Sequence, residues 1–350
     1  MFAASATTVR PNVRIQCERR LPQAGEITVT VGQEVNPVQV VARTSRQNAY
    51  TVIQGAELLG VSADELSEHL LVEEGAAIQR KKPLLEKRSL LGTKSITSPV
   101  NGILYQVSRG MLILQHTPEL LELRAMINGI VRSLLSNRGV LIETSGALIE
   151  ARWASGREGY GKLRLTEEPD TVLHARHITA DVRGTVLVVG RVNQRDVLEL
   201  AEENSVRGVI AGSVPATLAP DLLQFRYPIL ITEGFGRMPM STAIYELLSQ
   251  CEGNDVSLLG DPPQWQRPEI IIPRTLAEQP ESLPPASARL EIGSLVRVCR
   301  APFMAQIGNV VTIYEKSQMT DIGYRLPGAD VRLENEELVF VPYTNLDMIR

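Results

Sequence analysis

Thr185-Val-Leu-Val-Val-Gly190, Arg207-Gly-Val-Ile-Ala-Gly212 and Tyr227-Pro-Ile-Leu-Ile-Thr232 are three short runs of mostly branched, apolar residues. Such runs read as strands buried on both faces, as in a parallel sheet covered by helices. The segments between and after them have helical periodicity: residues 194–204 put Val197, Leu198 and Ala201 on one face, 216–224 form a second helix and 242–250 a third. The alternation predicts a small parallel α/β domain over 180–274 with right-handed crossovers.

Ligands of such sheets bind at the carboxyl ends of the strands, which draws attention to the loops after Gly190, after Gly212 and over 233–241. In the last loop Gly234 and Gly236 are expected to turn backbone N–H groups outward. Arg237 adds a fork of donors, and Ser241 or Thr242 caps the next helix at its positive end. With Arg191 these residues form the candidate ligand-binding set, suited to a phosphate, carboxylate or nucleotide. Glu233 stands where an acid–base group would act, but no partner for it is legible, and no catalytic residue is assigned.

Toward the C-terminus, the proline-rich stretch 275–288 reads as an extended linker that isolates 289–350. Four β patterns, beginning at Gly293, Gly308, Gly328 and Glu337, predict a small SH3-like barrel there. The stretch LEIGSLVRVCRAPFMAQIGNVVTIY (290–314) closely resembles the KOW motif of NusG-type transcription factors and ribosomal proteins. Gly308 takes the place of the motif's glycine, and Pro302-Phe303 that of the loop before it. The resemblance implies a barrel that binds RNA or the proteins of transcription and translation. Residues 290–350 carry six basic and eight acidic side chains, so docking to protein is favoured over RNA. Arg297 and Arg300, beside the loop, and Phe303 within it are the candidate nucleic-acid or partner contacts.

Toward the N-terminus, residues 1–20 read as a tail and 21–168 as a β domain with a short helical insertion, marked by the capping box Ser62-Ala-Asp-Glu65. Asn101-Gly-Ile-Leu with Arg109-Gly-Met-Leu-Ile is echoed by Asn128-Gly-Ile-Val with Arg138-Gly-Val-Leu-Ile, two copies of a strand, tight turn and strand. The segments 21–43, 72–87 and 95–107 resemble the barrel-sandwich hybrid fold of biotinyl and lipoyl carrier domains in the placement of Gly25, Gly32, Gly75, Ser98-Pro99 and Gly102. In lipoyl domains the modified lysine lies seven residues before that serine. Here Leu91 occupies the place and Lys94 is off register, so the resemblance implies a structural, lipoyl-like module without its swinging arm. A basic run, Arg80-Lys-Lys82 with Lys87 and Arg88, reads as a solvated turn or an anion contact.

The reading is a multidomain β and α/β chain: a barrel-sandwich hybrid, a small parallel α/β domain and a C-terminal SH3-like (KOW) barrel. A net charge of −4 excludes nucleic-acid binding by bulk charge. The three cysteines, Cys17, Cys251 and Cys299, lie far apart and form no disulfide framework or metal knuckle. His174 and His177 are the one close histidine pair, and no metal or cofactor is expected. No long apolar run and no secretory leader is legible, so a cytoplasmic protein without membrane insertion is expected. The functional expectation is a non-catalytic scaffold or adaptor with protein partners in a larger assembly, the alternatives being a small-molecule anion site in the α/β part and RNA association through the barrel.

Overall fold

The computed structural model describes residues 5–46, 49–89, 92–261, 266–274, 289–314, 316–320 and 323–349. The molecule is rich in strands arranged in several sheets. The expected linker at 275–288 and Leu91 lie outside the described residues.

The N-terminal expectation needs correction. Ser5–Thr7 is a strand, β1, and Val9–Arg20 is a twelve-residue strand, β2, rather than a tail. Alternation explains it: Val13, Ile15 and Cys17 face inward, and the intervening residues, Arg14 among them, face outward. Of the arginines that make the segment look like a solvated tail, Arg14 and Arg20 lie on the polar face, while Arg19 shares the inward face and pairs with Glu158.

After β2 the chain forms a compact β module with its own core around Leu66, Leu85, Leu104 and Leu112. It contains helix α1 (Gly55–Leu59) and a ribbon of β3 (Pro83–Ser89) and β4 (Gly92–Thr97). The hairpin of β5 (Gly102–Ser108) and β6 (Met111–His116) follows. The capping box forms, with Ser62 N–H donating to Glu65 Oε2 and Glu65 N–H to Ser62 Oγ, but the turn it opens is a 3₁₀ helix, Glu65–His69. Next come β7 (Gly129–Leu134) and β8 (Gly139–Glu150), the second hairpin of the near-repeat. The two hairpins close differently. Arg109 and Gly110 both have positive φ in a two-residue turn, whereas a 3₁₀ turn, Ser136–Arg138, joins β7 to β8. The Asn-Gly glycines, Gly102 and Gly129, open β5 and β7 and are not in the turns. A Cβ on Gly102 would collide with the Gln115 carbonyl oxygen, and one on Gly129 would stand 2.5 Å from that of Glu143. They permit close strand approach instead.

From here the strands join one large sheet: β9 (Glu158–Leu165), β10 (Thr185–Arg191), β11 (Gly208–Val214), β12 (Ile229–Phe235), β13 (Asp255–Leu259) and β14 (Glu269–Pro273). The spatial order includes the run β12-β11-β10-β9-β13-β14-β8-β7, with the short strands Trp153–Ala154 beyond β12 and Glu34–Val35 beyond β7, and β2 along the other side of β8. The pairs β9–β10, β10–β11 and β11–β12 are parallel. Each of β10, β11 and β12 is followed by helix: α2 (Arg195–Glu203), α3 (Ala219–Leu222) and α4 (Thr242–Ser249). Period-two alternation sends Leu187 and Val189 toward α2 and Val186 and Val188 toward α4, so both faces are covered. The expected boundary at 168–180 is thus crossed by the sheet itself: β9, assigned to the first module, lies at its centre. β8 is the spine, with Ala147 and Ile149 in the core beneath α4 and Ile142 and Leu148 in the core it shares with β2.

The C-terminal residues form β15 (Leu295–Val298), β16 (Ile307–Ile313), β17 (Gly328–Leu333), β18 (Leu338–Pro342) and β19 (Leu346–Ile349). Their sheet order is β1-β19-β15-β16-β17-β18, and the first described strand pairs in parallel with the last.

Candidate functional site

The carboxyl ends of β10 and β11 are roofed by the chain. A Cβ on Gly190 would collide with the Pro169 carbonyl, and one on Gly212 would meet the Met240 nitrogen at 2.7 Å. The end of β12 is closed by Glu233, which is 4% exposed. Its Oε1 accepts the Ser241 N–H at 3.1 Å, so the positive end of α4 already holds a carboxylate from the chain itself. Gly236 N–H donates to the Val214 carbonyl at 2.9 Å and does not face outward. Gly234 and Gly236 have φ of +115° and +153°, so glycine is required there by backbone geometry. Arg191 Nε donates to the Asp170 carbonyl at 3.0 Å, and Arg237 and Thr242 are exposed. The expected anion site is therefore corrected: Arg191, Gly236, Arg237, Ser241 and Thr242 do not converge on an open pocket, and Glu233 occupies the place a ligand would take.

The second correction concerns Arg297. Proposed from sequence as a surface contact, it is 1% exposed. Its Nη1 donates to Glu233 Oε2 at 2.5 Å and its Nη2 to Asp347 Oδ2 at 2.7 Å. Asp347 is fully buried, and its Oδ2 also accepts Thr7 Oγ1 at 2.6 Å. Arg152 lies 3.1 Å from the same oxygen, and Arg267 Nη2 lies 3.2 Å from Oδ1. Burial opposes ionisation of Asp347, but Arg297 and Arg267 outweigh it and hold the carboxyl well below the usual range. The cluster joins β15 and β19 of the C-terminal sheet, β1 and the end of β12. Buried charge survives only where paired and hydrogen-bonded, and these contacts supply both.

Around this clamp is a cleft of about 360 Å³ lined by Arg152, Gly234, Arg297, Cys299, Arg300 and Met304. Among the described residues it brings together members of both predicted sets, Gly234 with Arg297 and Arg300. Arg152 Nη2 donates to Cys299 Sγ at 2.9 Å. The other cysteines are buried: desolvation pushes Cys17 up to about 12 and Cys251 upward, which disfavours thiolate chemistry at either. His174 and His177 make a local turn, with His174 N–H donating to His177 Nδ1 at 3.2 Å.

A groove of about 390 Å³ lies on the C-terminal sheet. Phe303, Met319, Leu326, Leu338, Phe340 and Pro342 line it, with Arg300 and Glu337 among its polar residues. β18 is last in the sheet order. Its Val339 and Val341 enter the core while Leu338, 54% exposed, turns outward. Phe303 also packs partly against that core. The groove was invisible to sequence reading because Phe303, Met319 and Leu338 come from three separate segments. The weak signal available was the alternation within Leu338-Val-Phe-Val-Pro342. No family model and no curated protein matches this chain.

Proposed function

We propose that this chain is a non-catalytic scaffold or adaptor that docks onto a larger assembly through its β modules, a barrel-sandwich hybrid without its lysine and a KOW-type SH3-like barrel flanking a parallel α/β unit. The observation that carries this reading is the apolar groove along β18. It combines exposed Leu338 and Met319 with a strand that has no partner on its outer edge among the described residues. An extended segment of a partner protein fits such a place, its main chain pairing with the edge and its apolar side chains entering the groove. The antiparallel order β19-β15-β16-β17-β18 supports the barrel reading. The absorption of Arg297 and Glu233 into a buried clamp favours a structural over a catalytic role for the strand ends. Native extracts passed over the immobilised chain, with recovered proteins identified by mass spectrometry, test the reading. A partner set lost with Leu338→Glu supports it, and an empty or unchanged set rejects it.

A further inference from the structure

The basic run is not absorbed by this reading. Four of the chain's six lysines, Lys81, Lys82, Lys87 and Lys94, fall within fourteen residues, together with Arg88 and next to Arg80. Glu86 is the only acid among residues 79–98, so that stretch carries +5 in a chain whose total is −4. The structure gathers these residues on one device. Arg80, Lys81 and Lys82 form the turn entering β3; Lys87 and Arg88 lie near its far end; and Lys94 on β4 pairs in register with Lys87. Like charges directly opposite on paired strands are destabilising, which argues for an external anion to offset them. From Lys82 to Arg88 the ribbon extends about 20 Å, roughly the rise of six phosphates of one strand along the axis of a duplex.

The neighbouring acids do not neutralise the ribbon. Residues 57–74 hold six acidic side chains, and α1 packs against the ribbon. Even so, Arg80, Lys81, Lys82 and Lys94 are exposed and have no acidic partner among the described residues. Arg88 pairs with Glu86, and Lys87 Nζ donates to the Gly60 carbonyl. The apolar residues of the described ribbon, Leu84, Leu85 and Ile96, belong to the module's core, and its exposed positions include Thr93, Ser95 and Thr97. Protein interfaces centre on apolar or aromatic anchors, and the exposed side chains of the ribbon itself supply none among the described residues, although exposed Leu58 on α1 and Leu71, whose N–H donates to the Leu84 carbonyl, lie beside it. Residues 79–98 contain no aromatic side chain, so stacking on single-stranded bases is not provided for either. We propose that the β3–β4 ribbon and its entry turn bind the phosphodiester backbone of a nucleic-acid duplex, without reading sequence.

Fluorescence anisotropy of the full chain with a labelled DNA duplex, and with the RNA duplex of the same sequence, tests this and tells the two sources apart. With four unpaired cations engaged, affinity falls about a hundredfold between about 50 and about 200 mM salt. The combined variant Arg80→Gln, Lys81→Gln, Lys82→Gln and Lys94→Gln loses at least about tenfold at the lower salt, while Lys81→Arg with Lys82→Arg and Lys94→Arg keeps its affinity. If the fourfold variant melts lower than the parent, the pair Lys81→Gln with Lys94→Gln decides, with a smaller loss. Unchanged affinity in the Gln variants, salt-independent binding, no binding to either duplex, or displacement by polyglutamate at matched charge each overturns the proposal.

Discussion

Glu269 and Glu150 stand directly opposite each other on β14 and β8. Burial, and then the Glu150 carboxylate, push Glu269 up to about 7. A carboxyl raised in the folded state binds its proton more tightly there than in the unfolded chain. Stability is therefore lost as pH rises from about 4.5 through about 7. Glu269→Gln is predicted to stabilise the protein by about 1–3 kcal/mol at pH 8, discounted for partial exposure, and by much less at pH 5. Urea denaturation at the two pH values measures it; a gain independent of pH would show that Glu269 is not the titrating group. At this scale little was legible. Glu269 and Glu150 are 119 positions apart in the sequence, and nothing local to either announces the other.

Among the elements, the strands and helices of 185–250 were readable because each carries its own periodicity. β10, β11 and β12 begin within two residues of the expected starts. β2 was not, since an amphipathic edge segment rich in arginine and a solvated tail differ only in whether a partner strand exists. The glycines divide in the same way. Gly32 has φ of +86° and nothing within 4 Å of the position a Cβ would take, so Gly32→Ala costs about 1 kcal/mol from backbone strain alone. Gly102→Ala drives a methyl group into the Gln115 carbonyl and must part β5 from β6, which is predicted to cost more than about 2 kcal/mol. Equal losses in the two variants, read from urea midpoints, would refute the distinction.

For the whole molecule, the clamp of Arg297 with Glu233 and Asp347 ties the C-terminal sheet to the large one. Removing one partner leaves buried charge uncompensated, so Arg297→Ala is predicted to cost about 3–5 kcal/mol. The C-terminal sheet is then predicted to melt separately from the rest, giving two calorimetric transitions where the parent is predicted to give one. A single transition shifted by less than about 1 kcal/mol would mean that the clamp does not carry the coupling. Asp347 contributes an acid dependence to stability. Its folded carboxyl is depressed below the ordinary value of 3.8, so its contribution is complete above that value and is lost as pH falls below it.

Local pattern was enough to determine the alternation of strand and helix over 185–250, the hairpins of the near-repeat and the β character of both flanks, because hydrophobic period and turn chemistry are written in neighbouring residues. What tertiary structure alone decided is which of those strands share a sheet and what becomes of the polar residues at their ends. Thr7 and Asp347 are 340 positions apart and share a hydrogen bond. Glu233 fills the helix terminus read from sequence as an open anion site, and Arg297 turns inward to meet it. Pairings of that range carry no local signature: they depend on where the folded chain leaves a buried charge in need of a partner.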